Sequence, residues 1–115
     1  MKIVISNDVK GVIRDIFNYS VKYSFNYASN TVRSIYKTIS EIKDFPYLGK
    51  YVPEIMDKHF REILCNGYRI MYFVSEKGNL INIQYVLSSR QNRTQFLEVH
   101  KKEIFDIINF LNQFI

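Results

Sequence analysis

The sequence predicts an α+β domain: a small antiparallel sheet with an N-terminal helical hairpin and a C-terminal helix, in the order β-α-α-β-β-β-α. Three observations carry this. Residues 9–42 hold two stretches of apolar residues at steps of three and four, the period of helices that bury one stripe. Residues 59–88 change to strand-like segments broken by Asn66-Gly67 and Glu76-Lys77-Gly78-Asn79, turn signals that join neighbouring strands antiparallel. A length of 115 residues with 47% hydrophobic content fits one domain around one core.

Taken in order, Lys2–Ser6 reads as a short strand, and Ser6, Asn7 and Asp8 are all good helix N-caps. Val9, Val12, Ile13, Ile16 and Phe17 then mark a first helix that ends near Tyr23-Ser24. Ser24 caps a second, whose stripe of Phe25, Ala28, Val32, Ile35, Ile39 and Ile42 is the cleanest in the chain. Phe45-Pro46 stops it, because proline disfavours helix in the residue before it. So short a join packs the two helices antiparallel. Tyr47–Lys58, with Gly49 and Pro53, is loop-like. His59–Leu64 and Tyr68–Ser75 are strands, and the second is apolar on both parities, as expected of a central strand covered on both faces. Leu80–Ser88 is the third, with Ile81, Ile83, Tyr85 and Leu87 assigned to one side and Asn82, Gln84 and Val86 to the other. Asn92 or Thr94 opens the last helix. Its inner stripe is Leu97, Ile104, Ile108, Leu111 and Ile115. Phe96, Val99, Phe105, Ile107, Phe110 and Phe114 exceed what one stripe needs, so this helix is either buried on two sides or offers an apolar face to a partner.

Composition narrows the function. The net charge of +5 and pI near 9.3 point weakly to a polyanion or an acidic partner. Cys65 is alone, which excludes an intrachain disulfide and a thiolate metal cluster and fits a reducing cytosol. The N-terminal apolar run is too short for a signal peptide. The C-terminal one is broken by Asp106, Asn109, Asn112 and Gln113, so no membrane association is expected. No phosphate-binding loop, dinucleotide fingerprint, HExxH or GxSxG motif occurs, and no cofactor is expected. Asn92-Arg93-Thr94 matches a glycosylation acceptor by letter only, since a cytosolic chain does not meet that machinery.

The candidate site residues are cations on neighbouring strands. Arg61 and Arg69 flank the Asn66-Gly67 turn, and Arg90 follows the third strand. Guanidinium forks suit phosphate or carboxylate, and strands hold them in fixed directions, so the three can ring one shallow basic cleft. The alternative is local: Arg61 pairs with Glu54, Glu62 or Glu76 and the others lie solvated on a rim. His59 stands two residues before Arg61 and shares its face in a regular strand, which makes it the better of two candidates for acid–base work. His100, beside Lys101-Lys102, reads as part of a solvated basic turn. The two histidines have no carboxylates at metal-ligand spacing, so no metal site is expected. Tyr68, Tyr72 and Tyr85 read mostly as cross-strand packing.

The segment PYLGKYVPE, followed by FREIL and NGYRIMYFV, resembles the RelE/ParE superfamily of type II toxins. The resemblance rests on Pro46, Gly49-Lys50, Val52-Pro53-Glu54, Arg61-Glu62, Tyr68-Arg69-Ile70, Tyr72 and Arg90, and spans Lys2 to about Arg90. It implies a single toxin domain over residues 1–115, with 92–115 as a helical extension. RelE-like members are ribosome-dependent mRNA endonucleases that hold the scissile phosphate with basic side chains, often with a tyrosine near the C-terminus. ParE-like members lack that set and act on DNA gyrase. Here Phe96 stands where the tail tyrosine is expected, and phenylalanine exchanges no proton. Arg61 is the one cation in His59–Leu64. The likeness therefore favours the ParE-like branch: a cytoplasmic gyrase inhibitor that needs no catalysis. An mRNA endonuclease acting on the ribosome is the first alternative, with His59 as its acid–base group, and a non-toxic binding module is the second. Arg61, Arg69 and Arg90 are the expected functional groups in either toxin. A small, commonly acidic antitoxin is the implied partner, and homo- or hetero-oligomers stay open.

Overall fold

The computed structural model describes residues 1–114. Strand β1 (Lys2–Ile5) leads into helices α1 (Asn7–Ser20) and α2 (Phe25–Asp44). Strands β2 (Lys50–Tyr51), β3 (Phe60–Cys65), β4 (Tyr68–Ser75) and β5 (Leu80–Ser88) follow, and helix α3 (Arg93–Phe114) ends the chain. The local signals act as their chemistry dictates. Ser6 Oγ accepts from the Val9 N–H and Ser24 Oγ from the Tyr27 N–H, each at 3.1 Å, and Asn92 Oδ1 accepts from the Gln95 N–H at 3.0 Å. Asn92, not Thr94, therefore opens α3. Asn66 and Gly67 both take positive φ, 50° and 84°, the conformation a two-residue hairpin turn requires. Helix α1 ends at Ser20, where the Tyr23 and Ser24 N–H groups turn back onto its carbonyl.

The five strands form one mixed sheet in the order β1-β5-β4-β3-β2. The β2–β3, β3–β4 and β4–β5 pairs are antiparallel, whereas β1 runs parallel to β5. The two-residue β2 lies inside the stretch expected as loop. Each face of the sheet carries its own core. The hairpin lays Val9, Ile13, Ile35, Ile39 and Ile42 onto Ile70, Tyr72, Val74, Ile81, Ile83 and Val86. Across the sheet, α3 lays Leu97, Ile104, Ile108 and Leu111 onto Phe60, Met71, Phe73 and Leu87, with Val52 and Ile55 from the β2–β3 connection. Phe60, Tyr72 and Phe73 are almost wholly buried, each worth roughly 1.5–3 kcal/mol of burial. Helix α3 thus packs on its own sheet. Its surplus apolar residues divide: Phe96, Phe105 and Ile107 reach the core while Val99 and Phe110 stay exposed. The stripe position expected of Ile115 and the Phe114 side chain lie outside the described residues.

The parity expected for β5 needs correction. Met71 pairs with Tyr85 but Tyr72 pairs with Ile83, so Gln84 is an extra residue, a β-bulge. Ile81 and Ile83 face the hairpin; beyond the bulge Val86 faces it, and Tyr85 and Leu87 turn to α3.

Candidate functional site

The cations singled out above line three different hollows. Arg61, on β3, lines one of about 290 Å³ with Tyr47, Lys58, His59 and Glu76. Its Nε donates to the Lys58 carbonyl at 2.8 Å and its Nη1 to the Gly49 carbonyl at 3.4 Å. Its guanidinium lies 5.1 Å from the Tyr47 ring centre, within cation–π range. None of the expected glutamates pairs with it; its neighbours are carbonyls and a ring. His59 shares this hollow, as its spacing from Arg61 predicts. Its Nδ1 lies 3.3 Å from Asp57 Oδ1 and its Nε2 3.9 Å from Glu76 Oε2. The Tyr47 hydroxyl donates to Glu76 Oε1 at 2.8 Å. Burial first, then this bond to an anion, pushes the phenol up to about 12.

Arg69 is in a different situation. The alternation Phe60-x-Glu62-x-Leu64 sets a carboxylate on the sheet face that α3 covers, and Glu62 is only 6% exposed. A carboxylate so placed requires cations, and two supply them. Arg69 Nη1 donates to Glu62 Oε1 at 2.6 Å. Arg93, the first residue of α3, donates from Nε to both Glu62 oxygens at 2.9 and 2.8 Å and from Nη2 to Oε2. Arg93 also reaches Glu54, whose Oε1 accepts from Nη2 at 3.1 Å. Burial alone would raise the Glu62 carboxyl, but the bonds from Arg93 and Arg69 outweigh it and hold it below the usual carboxylate range. The Arg93 bond likewise lowers Glu54. The bonds to Glu62 and Glu54 push Arg93 further up, so it is a fixed charge.

Arg90 stands in the third hollow, of about 450 Å³, with Tyr19, Tyr27, Tyr68 and the Asn66-Gly67 turn. Its backbone N–H donates to Ser88 Oγ at 3.2 Å. Among the described residues no carboxylate or other side chain engages its guanidinium. The structure therefore brings Arg61 and His59 together, ties Arg69 into an ion-pair network and leaves Arg90 apart.

Two features escaped sequence reading. The sequence presents Arg93 only as the middle of an Asn-Arg-Thr triplet, although a strand carboxylate on a covered face signals that a distant cation must meet it. His100 is not a solvated turn residue. Its ring stacks on Phe96 at 4.0 Å and meets Tyr85 edge-on at 5.6 Å, with Nδ1 2.8 Å from the Phe96 carbonyl. Phe96 itself packs edge-on against Tyr85, whose hydroxyl donates to Glu103 Oε1 at 2.9 Å. Among the described residues no three His, Cys, Asp or Glu gather as a metal site, and no helix is long and apolar enough to cross a membrane.

A family model for the ParE toxin of the type II toxin–antitoxin system parDE matches residues 3–93. No curated protein matches the chain. The family match begins inside β1, covers both helices of the hairpin and strands β2 to β5, and stops at the first residue of α3.

Proposed function

The chain belongs to the ParE toxin family of type II toxin–antitoxin systems, and from that premise we propose that it arrests growth by binding and inhibiting DNA gyrase, without chemistry of its own. The observation that carries this reading is the Glu62 network. Arg69, the strand arginine that a RelE-like nuclease would turn on a scissile phosphate, is neutralised by a buried carboxylate that also holds Arg93. Phe96, where a tail tyrosine would stand, is packed between Tyr85 and His100 and exchanges no proton. Target recognition then falls to accessible cations, Arg61 and Arg90, as protein contacts. The partner in the cell is a cognate antitoxin, acidic enough to be drawn to a chain of charge +5. Its docking ground is the apolar groove of about 540 Å³ between α1 and α3, walled by Val9, Val12, Ile16, Phe96 and Ile107. We place the protein in the cytoplasm, and read residues 92–115 as a helical extension of the toxin domain.

The test is expression without the antitoxin, with supercoiling by purified gyrase and mRNA integrity followed side by side. Growth arrest with blocked supercoiling and intact mRNA is expected. Intact supercoiling alongside arrest would overturn the reading.

A second reading, ribosome-dependent mRNA cleavage, draws on the Arg61 hollow. There His59 sits against Asp57 with Lys58 and Arg61 beside it: a proton carrier next to phosphate-binding cations. Against it, Glu76 lines the same hollow and repels phosphate. This reading expects cleavage on ribosomes that is lost in His59→Ala and Arg61→Ala. Absence of any growth arrest would instead favour a non-toxic binding module.

A further inference from the structure

Gln84 is the residue that the β5 bulge inserts. It is only 8% exposed, and among the described residues neither its Oε1 nor its Nε2 has a hydrogen-bond partner. A buried amide left unpaired at both ends is costly, and native interiors hold few of them. The bulge gives the fold nothing in return, because Ile83 on the hairpin side and Tyr85 on the α3 side would continue the alternation of the strand without it. Bulges recur beside functional sites, where they re-aim a side chain. Gln84 lines the groove of about 540 Å³ between α1 and α3. That groove opens because β1 ends at Ile5, opposite Ile83, so from Gln84 onward β5 has no strand beside it on that edge. The charged residues in its lining are Asp8 and Glu103, both exposed at the rim, with no lysine, arginine or histidine. The Tyr85 hydroxyl is already committed to Glu103.

An anion would meet two carboxylates here and no cation. A cation would use the rim carboxylates and leave the Gln84 Nε2 without an acceptor. A hydrocarbon would leave the whole amide unpaired. A primary carboxamide or a lactam carries a C=O and an N–H side by side, so one edge of it meets Nε2 and Oε1 together. An apolar body behind that edge fills the walls of Val9, Val12, Ile16, Phe96 and Ile107. The Gln84 amide has no hydrogen bond to lose in turning toward such an occupant, and the groove has the size of a small-molecule site. We propose that this groove binds a small neutral molecule with a carboxamide or lactam edge on an apolar body, the edge paired with the Gln84 amide. The assignment rests on Gln84 and its surroundings, and holds whether or not an antitoxin shares that surface.

The probe is benzamide, titrated into the isotope-labelled full chain and followed by NMR through the side-chain amide signals. The Gln84 pair of signals is identified by its absence from Gln84→Leu. Benzamide should bind with a Kd of about 1 mM and shift that pair. Benzoate and N,N-dimethylbenzamide both lack the N–H, and should bind at least about tenfold more weakly. Gln84→Leu should bind benzamide and its dimethyl analogue equally. It should also melt about 4 °C higher, because the unpaired amide is gone. A lower melting temperature would show that the amide serves the fold, and would overturn the proposal. Equal binding of these compounds to the unaltered chain would do the same, by reducing the groove to a hydrophobic surface. So would tighter binding of a capped trileucine than of benzamide, which would make the occupant a polypeptide strand, or a failure of benzamide to bind. The ligand comparison in the unaltered chain does not depend on how the variant folds.

Discussion

Replacing Glu62 by alanine removes the anion on which β3, β4 and α3 converge. Arg93 retains Glu54, so the cation left without a partner is Arg69, whose Nε already has none. Its side chain is 18% exposed and that of Glu62 8%. Breaking one partner of a buried ion pair costs about 3–5 kcal/mol, and the residual exposure of Arg69 places this case near 3 kcal/mol. Against a total stability of roughly 5–15 kcal/mol for a domain, that is a large fraction. At about 4 °C per kcal/mol it lowers Tm by about 12 °C. Urea denaturation followed by circular dichroism should show the midpoint falling with an unchanged slope. The diagnostic is the double variant Glu62→Met/Arg69→Met. An apolar pair leaves no stranded charge, so the double variant should be more stable than Glu62→Ala alone. A loss below about 1 kcal/mol in the single variant, or additive losses in the double, would refute the assignment of the network as a buried, mutually dependent unit.

The same carboxylate sets an acid limb. Its folded-state pKa is depressed, so its contribution is complete above the unfolded value and disappears as pH falls through the lowered one. Urea midpoints between pH 5 and pH 2 should fall, and fall less in the Met/Met variant. Tyr47 acts at the other end: its folded value is raised to about 12, so stability present below pH 10 should decline from there to about pH 12, and Tyr47→Phe should flatten that decline. Gly49→Ala would place a Cβ 2.7 Å from the Tyr72 hydroxyl and 2.8 Å from the Glu62 carbonyl. It would also disturb the bond from the Gly49 N–H to Tyr72. A loss of about 2–3 kcal/mol is expected in thermal melts. Truncation after Asn92 uncovers Phe60, Met71, Phe73 and Leu87 and strips Glu62 of Arg93. The shortened chain should appear in the insoluble fraction, and a soluble cooperative folder would contradict the two-core description.

Local chemistry carried most of the fold into the sequence. Ser6, Ser24 and Asn92 read as caps because a side-chain oxygen three residues before an orphan N–H has few other uses. Asn66-Gly67 reads as a hairpin turn because both residues tolerate positive φ. What failed to register was non-local. The Gln84 bulge leaves no mark in hydrophobicity, since Tyr85, Val86 and Leu87 are all apolar and either phase fits them. Arg93 meets Glu62 across 31 positions and Glu54 across 39, and no periodicity links them. Along the chain His100 has lysine neighbours, while its surroundings come from Phe96 one helical turn back and Tyr85 on the sheet. The candidate arginines were identifiable as residues, but whether each had an anion beside it depends on which sheet face and which hollow it occupies.

Because one inserted amide reverses which way the rest of β5 points, that strand tolerates substitution and indel differently. Exchanging the side chain at position 84 alters one residue's surroundings, and excising it would leave Ile83 opposite Tyr72 and Tyr85 opposite Met71 as consecutive pairs. Tyr85 and Leu87 would still face α3 and Val86 the hairpin, so a frame-preserving deletion at this position should be tolerated better than one at Asn82, which would set Ile81 and Ile83 on opposite faces.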